Sequence, residues 1–235
     1  MSSLRRRCVV TVAWGIWVPK IVDHERRRRE VVNAAWRVIN RVGLENATMR
    51  EIAREAKSST GAIAHYFTSK DDILRAALER ADEDIRRRIE AMSDDIHPLT
   101  RLRAALREAL PLDRRRTFEL TLDVNFWARA LNHTSLRALQ HRDHNEWRDG
   151  LLEHVAEIQE GGWLDRSMPS DELTDILVAF VDGLGLQGLV YPELLTKERI
   201  TRLLDAQLVA LGADARYLVD MPSNRAARDS IPASA

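Results

Sequence analysis

Apolar residues recur every three to four positions through most of the chain, and nowhere do they alternate over the length of a strand. Val31, Val32, Ala35, Trp36, Val38, Ile39 and Val42 set a helix from Glu25, which Gly43 ends as a C′ glycine. Thr48 with Glu51 three residues on forms a capping box ahead of Ile52 and Ala53, predicting a short helix to about Ala56. Ser58 and Ser59 cap a third short helix to about Tyr66. Ser69 caps a fourth, 70–85, with Ile73, Leu74, Ala77, Leu78 and Ile85 on one face. Further helices are predicted at about 98–110, 114–131, 134–160, 171–190 and 196–211. Pro98, Pro111, Pro169, Pro192 and the Gly161-Gly162 pair punctuate them. The fold class is all-α.

Composition agrees. A chain of 235 residues, 45% hydrophobic with 10 Gly and 7 Pro, buries a sizeable core and is neither collagen-like nor wholly disordered. Cys8 is the one cysteine, which excludes a disulfide framework and a cysteine zinc site and suits a reducing cytoplasm. The formal net charge is zero, but residues 1–70 hold 14 Lys/Arg against 6 Asp/Glu, a surplus of +8. The remaining residues carry −8. A basic front on an acidic back points to a polyanion meeting the front.

Arg5-Arg6-Arg7 and the apolar run Cys8 to Val18 have the look of a secretory leader, yet no small-x-small cleavage site follows. Pro19-Lys20 and a charge run come instead, and the run is too short to span a bilayer. The expectation is that Met1 to Trp17 lie upstream of a natural start at Val18 and add nothing to fold or function. No later run of about 18 apolar residues is apparent, so no membrane partner is expected. Residues 1–24 are thus an extension, and 213–235 are expected to form a mobile tail.

Two short helices joined by a tight turn, preceded by a longer one, make a helix-turn-helix layout over 48–67, within a domain of 25–85. Its second helix enters a major groove with its N-terminal end first. Ser59, Thr60, Gly61 and Ala62 are small there, so the backbone approaches the bases, and the two hydroxyls suit bases or phosphates. His65, Tyr66 and Lys70 have donors suited to phosphate oxygens. Thr48 stands at a helix N-terminus, where free N–H groups attract phosphate. Phe67 reads as a core aromatic.

Ile52-Ala53-Arg54-Glu55-Ala56, then Ser59-Thr60-Gly61-Ala62-Ile63-Ala64-His65-Tyr66-Phe67-Thr68-Ser69-Lys70-Asp71-Asp72-Ile73-Leu74, resemble the TetR family of transcriptional regulators. Ser-Thr-Gly-x-Ile-x-His-Tyr-Phe is similar above all to the Bet-type, choline-responsive repressors. Val18-Pro19-Lys20 resembles the Met-Pro-Lys start of that subgroup, and Leu177 to Leu184 resemble its C-terminal domain. The chain departs from the pattern at the turn, where Lys57 replaces the usual Gly and Ser58 a residue that is often apolar. It departs again at Ala64, where many members carry Tyr. Lys57 offers a phosphate contact instead, and the operator sequence is open to that extent.

The resemblance implies that 91–212 form a helical domain for ligand binding and dimerisation. The residues support this: Leu173, Ile176, Leu177, Phe180, Val181 and Leu184 make a broad apolar face, and Leu203, Leu204, Leu208 and Leu211 stripe the last helix. Gly183, Gly185 and Gly188 would let a partner helix approach closely. The aromatic and polar residues expected to line a cavity are Phe118, Leu122, Asn125, Phe126, Trp127, Trp147, Phe180 and Gln187. His141 and His144 stand on one helical face, and the reading there is a solvated polar face rather than half a metal site. No P-loop, dinucleotide fingerprint, Gly-x-Ser-x-Gly or His-Glu-x-x-His is present, so no cofactor is expected. The reading is a cytoplasmic, homodimeric regulator of double-stranded operator DNA, a repressor released by an unidentified small-molecule effector. The rival is a helical ligand-binding or enzymatic bundle whose helix-turn-helix is only structural.

Overall fold

The computed structural model describes residues 24–43, 46–93 and 95–220, and every regular element among them is helical. In chain order these are α1 (His24–Val42), α2 (Met49–Glu55), α3 (Thr60–Ala64), α4 (Lys70–Glu90), α5 (Pro98–Glu108), α6 (Arg114–Ala130), α7 (Thr134–Glu160), α8 (Ser170–Val190) and α9 (Lys197–Ala210). The expectations for residues 1–17 lie outside the described residues.

Local chemistry sets the boundaries. Gly43 has φ +79°, the left-handed conformation that stops α1, and its N–H bonds Ile39 O at 2.8 Å. Thr48 and Glu51 close the capping box on α2, with Thr48 Oγ1 accepting from Glu51 N at 3.2 Å. Ser59 caps α3 and Ser69 caps α4 by accepting from the N–H three residues on.

Two hydrophobic clusters organise the packing. The first joins Val31, Ala35, Val38, Ile52, Ile63, Phe67, Ile73 and Leu74 of the front helices to Phe118, Leu122 and Phe126 of α6. The second joins Leu102, Leu106, Val155, Leu177, Val181, Leu204 and Leu208 from α5, α7, α8 and α9. Between them α4 and α6 run through both halves; α4 packs on α1, α5 and α6, and α6 packs on α7 and α8.

Four expectations are amended. The fourth helix runs on to Glu90, where Arg86 and Arg88 keep finding partners: Arg86 bonds Glu146 at 3.3 Å and Arg88 bonds Glu119 at 2.7 Å. Residues 213–220 are docked. A 3-10 helix, Ala215–Tyr217, puts Tyr217 O on Thr100 Oγ1 at 2.6 Å and its ring flat on His97, while buried Arg103 takes Asp220 at 2.8 Å. Residues 221–235 lie outside the described residues. Gly185 and Gly188 serve packing within the chain, since a Cβ there would press on Leu120 and Ala109 O, or on Pro111 and Ile200; only Gly183 faces open space. Finally, α8 is long and apolar enough, by length and composition alone, to cross a bilayer. Its Leu173, Leu177, Val181 and Leu184 are buried in the second cluster.

Candidate nucleic-acid interface and effector cavity

At the front, α1 braces the short pair α2 and α3. Arg37 and Arg41 of α1 hold Glu55 of α2 at 2.7 and 3.1 Å, and these bonds keep the Glu55 carboxyl below its ordinary pKa. Ile52, Ala53 and Ile63 are buried beneath, so the outward surface of the pair consists of the remaining residues. Thr60, Gly61, Ala64 and His65 are exposed along α3 and its C-cap. Their small size leaves the helix backbone open to close approach, and nothing but Ser59 Oγ stands within 4 Å of a Cβ placed on Gly61. Ala62 is half-buried.

The turn between the pair is unusual. Lys57 adopts φ +49°, the left-handed region where glycine is at ease and a side chain costs about 1–2 kcal/mol. Its ammonium is exposed at the end of α2. Phe67 is buried, as expected of a core aromatic, with the Arg28 guanidinium 5.5 Å above its ring. Tyr66 is half-buried against the first cluster and meets His24 ring to ring at 5.8 Å. Lys70 opens α4, where its positive charge lies one residue after the Ser69 cap.

Sequence reasoning passed over three cations. Arg29, Arg50 and Arg54 are exposed and carry no ion pair among the described residues. Arg50 and Arg54 lie on α2, which packs on the candidate recognition helix α3, and widen the positive surface there; Arg29 lies on α1. The early charge surplus was the available signal, but periodicity alone does not tell which arginines will find carboxylates. Arg37 and Arg41 did; these three did not.

Behind the front lies a cavity of about 480 Å³ walled by α4, α5, α6, α7 and α8. That is within the usual range for a small-molecule site. Leu78, Ile85, Ile89, Leu120 and Leu151 make its apolar surface, with Trp127 and Trp147 among them. The other six residues expected to line it are placed elsewhere. Phe118, Leu122 and Phe126 sit on the opposite side of α6, three successive turns buried in the first cluster, with Phe118 4.5 Å from Trp36 ring to ring. Phe180 packs on the second cluster. Asn125 donates to Thr121 O at 2.7 Å, and Gln187 is exposed on α8. Phe118, Leu122, Phe126 and Phe180 lie outside the cavity because an apolar pattern marks burial without marking which of two clusters receives it.

What the sequence reading missed is the acid in the cavity. Asp82, Asp123 and Asp182 reach it from α4, α6 and α8. Burial, reinforced by Asp123 and Asp143, pushes Asp82 up to about 8. Burial and the charges of Asp182 and Asp143 push Asp123 to about 7, opposed by the Gln140 and Trp127 side chains. Burial pushes Asp182 to about 6, opposed by His144. Gln140 Oε1, also on the cavity wall, is buried with no hydrogen-bond partner, and Trp127 Nε1 is buried beside Asp123. His144 lies on the wall and His141 is exposed; among the described residues no group of three His, Cys, Asp or Glu is placed to hold a metal ion.

Comparison with known proteins matches residues 31–77 to the family described as bacterial regulatory proteins, tetR family. Residues 98–213 match the BetI-type transcriptional repressor C-terminal family. The HTH-type transcriptional regulator PksA of Bacillus subtilis is 31% identical over 188 residues, covering 80% of this chain and 90% of that protein. The HTH-type transcriptional regulator BetI of Burkholderia cenocepacia is 30% identical over 176 residues, covering 73% and 86%. A transcriptional regulator from Saccharomonospora viridis, solved in complex with choline, superposes with a TM-score of 0.69 at 26% identity, covering 77% of this chain and 95% of that one.

Proposed function

This chain belongs to the TetR family of transcriptional regulators, with a C-terminal domain of the BetI type, and we propose from that premise that it is a homodimeric repressor released from a palindromic operator by a small molecule held in the α4–α8 cavity. The observation that carries this reading is the two-sidedness of α6. Phe118, Leu122 and Phe126 are built into the core of the front helices, while Glu119, Leu120, Asp123 and Trp127 line the cavity. A ligand that moves α6 therefore moves the base of the reading head.

DNA binding is assigned to the outward surface of α2 and α3. Thr60, Gly61 and Ala62 meet base edges, while Thr48, Lys57, Ser59, His65, Tyr66 and Lys70 serve phosphates. Arg50 and Arg54 join the phosphate set. The partner is a second copy. Ile176, Leu186 and Val190 recur on the outer face of α8 around Gly183, with Leu203 and Val209 of α9 beside them, and these apolar side chains are exposed in the single chain. Two such helix pairs meeting about a twofold axis make a four-helix interface. This also supplies the second apolar face that makes α8 hydrophobic on nearly all sides. The protein performs no chemistry on its effector, needs no cofactor and works in the cytoplasm, where its DNA is. The choline held by the Saccharomonospora viridis relative makes an organic cation the first class to consider, and Trp127 and Trp147 have faces suited to one.

The test is binding of the full chain to DNA from upstream of its own gene, titrated with salt. Tight binding with log Kd linear in log salt is expected. Lys70→Ala and Tyr66→Ala each weaken it by roughly 1 kcal/mol regardless of sequence, and Thr60 variants shift base preference. Leu186→Glu should give a folded monomer with the operator affinity lost. Unchanged affinity in the Lys70→Ala, Tyr66→Ala double variant overturns this docking.

A further inference from the structure

We propose that the effector is an aliphatic diamine or polyamine, its protonated nitrogens shared among Asp82 of α4, Asp123 of α6 and Asp182 of α8; this rests on the cavity being the effector site.

The argument begins from which acids already have cations. Glu108 and Glu119 are on the wall, but Arg88 takes both, at 2.5 and 2.7 Å, with Arg116 on Glu108 and Arg115 on Glu119. Glu146 has Arg86, and Asp143 has Arg142 at 2.9 Å. Asp82, Asp123 and Asp182 have no ion pair among the described residues. The wall supplies one arginine, Arg86, and two imidazoles, His144 and His154. Three carboxylates from three helices thus share one partly dry space in which the one guanidinium, Arg86, is already held by Glu146.

Their surroundings say what form they take when the cavity is empty. Asp82 faces Asp123, Asp143 and Glu79, with Arg86 the opposing charge; Asp123 faces Asp182 and Asp143; Asp182 faces His144. Asp82, and Asp123 in part, keep protons near neutral pH, because ionising all three groups together is costly in low dielectric. A cation entering the cavity displaces those protons and takes their place.

One charge does not suffice, and the orphaned polar atoms decide the chemistry of the head group. A single ammonium answers one carboxylate and leaves two facing each other. A quaternary nitrogen carries no N–H, yet the cavity presents carboxylate oxygens and the unpaired Gln140 Oε1, all acceptors. Primary or secondary ammonium groups donate to each of them. Trp127 Nε1, a donor beside Asp123, meets an ionised acceptor once the proton leaves. Leu78, Ile85 and Leu120 offer apolar wall for methylene spacers. Two or more N–H cations on an aliphatic chain meet all of these conditions together.

Calorimetric titration of the full chain with 1,4-diaminobutane, spermidine, butylamine and choline at 150 mM salt tests this. Diaminobutane or spermidine should bind at least tenfold tighter than butylamine or choline. Affinity should rise from pH 6 to pH 8, and the heat should depend on the ionisation enthalpy of the buffer, because protons leave. Asp82→Asn and Asp123→Asn should each weaken the diamine at least tenfold while keeping or raising the melting temperature, so loss of folding is not the cause. Choline or butylamine binding as tightly as the diamines, no amine binding at all, or amine binding unchanged in both variants would overturn the proposal. If instead a non-amine compound quenches Trp127 fluorescence and releases operator DNA, the cavity reading stands and the amine class fails. If amines bind through these carboxylates and leave DNA affinity unaltered, the amine class stands and release through the cavity fails.

Discussion

Arg129, in the last turn of α6, ion-pairs with Asp71, in the first turn of α4 and one residue after Lys70. The pair ties the helix that lines the cavity to the neighbour of the residue expected to rest on phosphate. Two residues earlier on α6, Trp127 is on the cavity wall; one residue before that, Phe126 is fully buried in the front cluster. Within a single turn the helix thus touches ligand space, front core and the start of α4. α4 is a second route, since it is continuous from Lys70 to the cavity.

Replacing Arg129 by Met keeps most of the apolar stem and removes the charge. Operator affinity without effector should stay within about threefold, because the head keeps its core. The factor by which spermidine lowers that affinity should shrink several-fold, in line with about 0.5–2 kcal/mol for a residue in a coupling network. By linkage, operator DNA should weaken spermidine binding by the same reduced factor. Paired titrations of DNA with and without spermidine measure it; an undiminished factor places the coupling elsewhere.

Lys57 offers a test in which stability and affinity move oppositely. Its φ of +49° strains any side chain, whereas glycine is at home there. The Lys57→Gly variant should gain about 0.5–1 kcal/mol in urea unfolding, the relief of the left-handed penalty less the added chain entropy of glycine. If the ammonium meets a phosphate, DNA binding should weaken and the salt slope should fall by about 1. Gain of stability with unaltered slope means that Lys57 faces solvent in the complex.

Much of this was legible from residue order. Capping pairs such as Thr48 with Glu51, the stop at Gly43 and the prolines at the starts of α5 and α8 act over a few residues, so the helices follow from local chemistry. What local chemistry leaves open is which partner a buried side chain meets. Phe118, Leu122 and Phe126 are spaced four apart, a stripe that fixes a face; only the packing of α6 against α1 and α4 assigns that face to the front core. The cavity acids show the same limit. Asp82, Asp123 and Asp182 look like ordinary solvated charges in sequence, and their unpaired state arises because three helices converge. Tail residues 213–220 lack periodicity, yet Arg103, His97 and Thr100 on α5 and its cap hold them.

That docking predicts a cost and a pH signature. Ending the chain at Gly212 removes Tyr217 from His97, the acceptor from Thr100 and Asp220 from Arg103 and Arg107. Arg103 is buried and keeps only Asp205 at 2.5 Å among these two partners. The loss should be at least about 2 kcal/mol. His97 caps α5 through Nδ1, which accepts from Leu99 N at 3.2 Å, and burial holds its pKa below the ordinary imidazole value, against the pull of Asp214. A base with a depressed folded pKa stabilises above its unfolded value and loses that contribution as pH falls below about 6.5. The intact chain should therefore weaken on acidification through that range. The chain ending at Gly212, with His97 uncovered, should show less of this slope. Urea midpoints of both chains from pH 5 to pH 8 measure it; equal slopes would acquit His97.

The cavity carboxylates act with the opposite sign. Asp82, Asp123 and Asp182 are raised to about 8, about 7 and about 6 in the fold, above the ordinary 3.8 of an unfolded aspartate. Below about pH 4 they are protonated in both states and cost the fold nothing. As pH climbs toward 8 the unfolded chain gives up its protons first, so stability falls through that whole window. The Asp82→Asn, Asp123→Asn double variant removes the two largest contributions while keeping shape. Its unfolding free energy should match that of the parent near pH 4 and exceed it increasingly up to pH 8. The His97 contribution is common to both proteins and drops out of the difference. Spermidine at saturation should close the gap for the parent, whose carboxylates then have cations, and leave the double variant unmoved. A difference that stays flat with pH would mean that water reaches these side chains freely, and that the cavity holds no unbalanced charge for a ligand to answer.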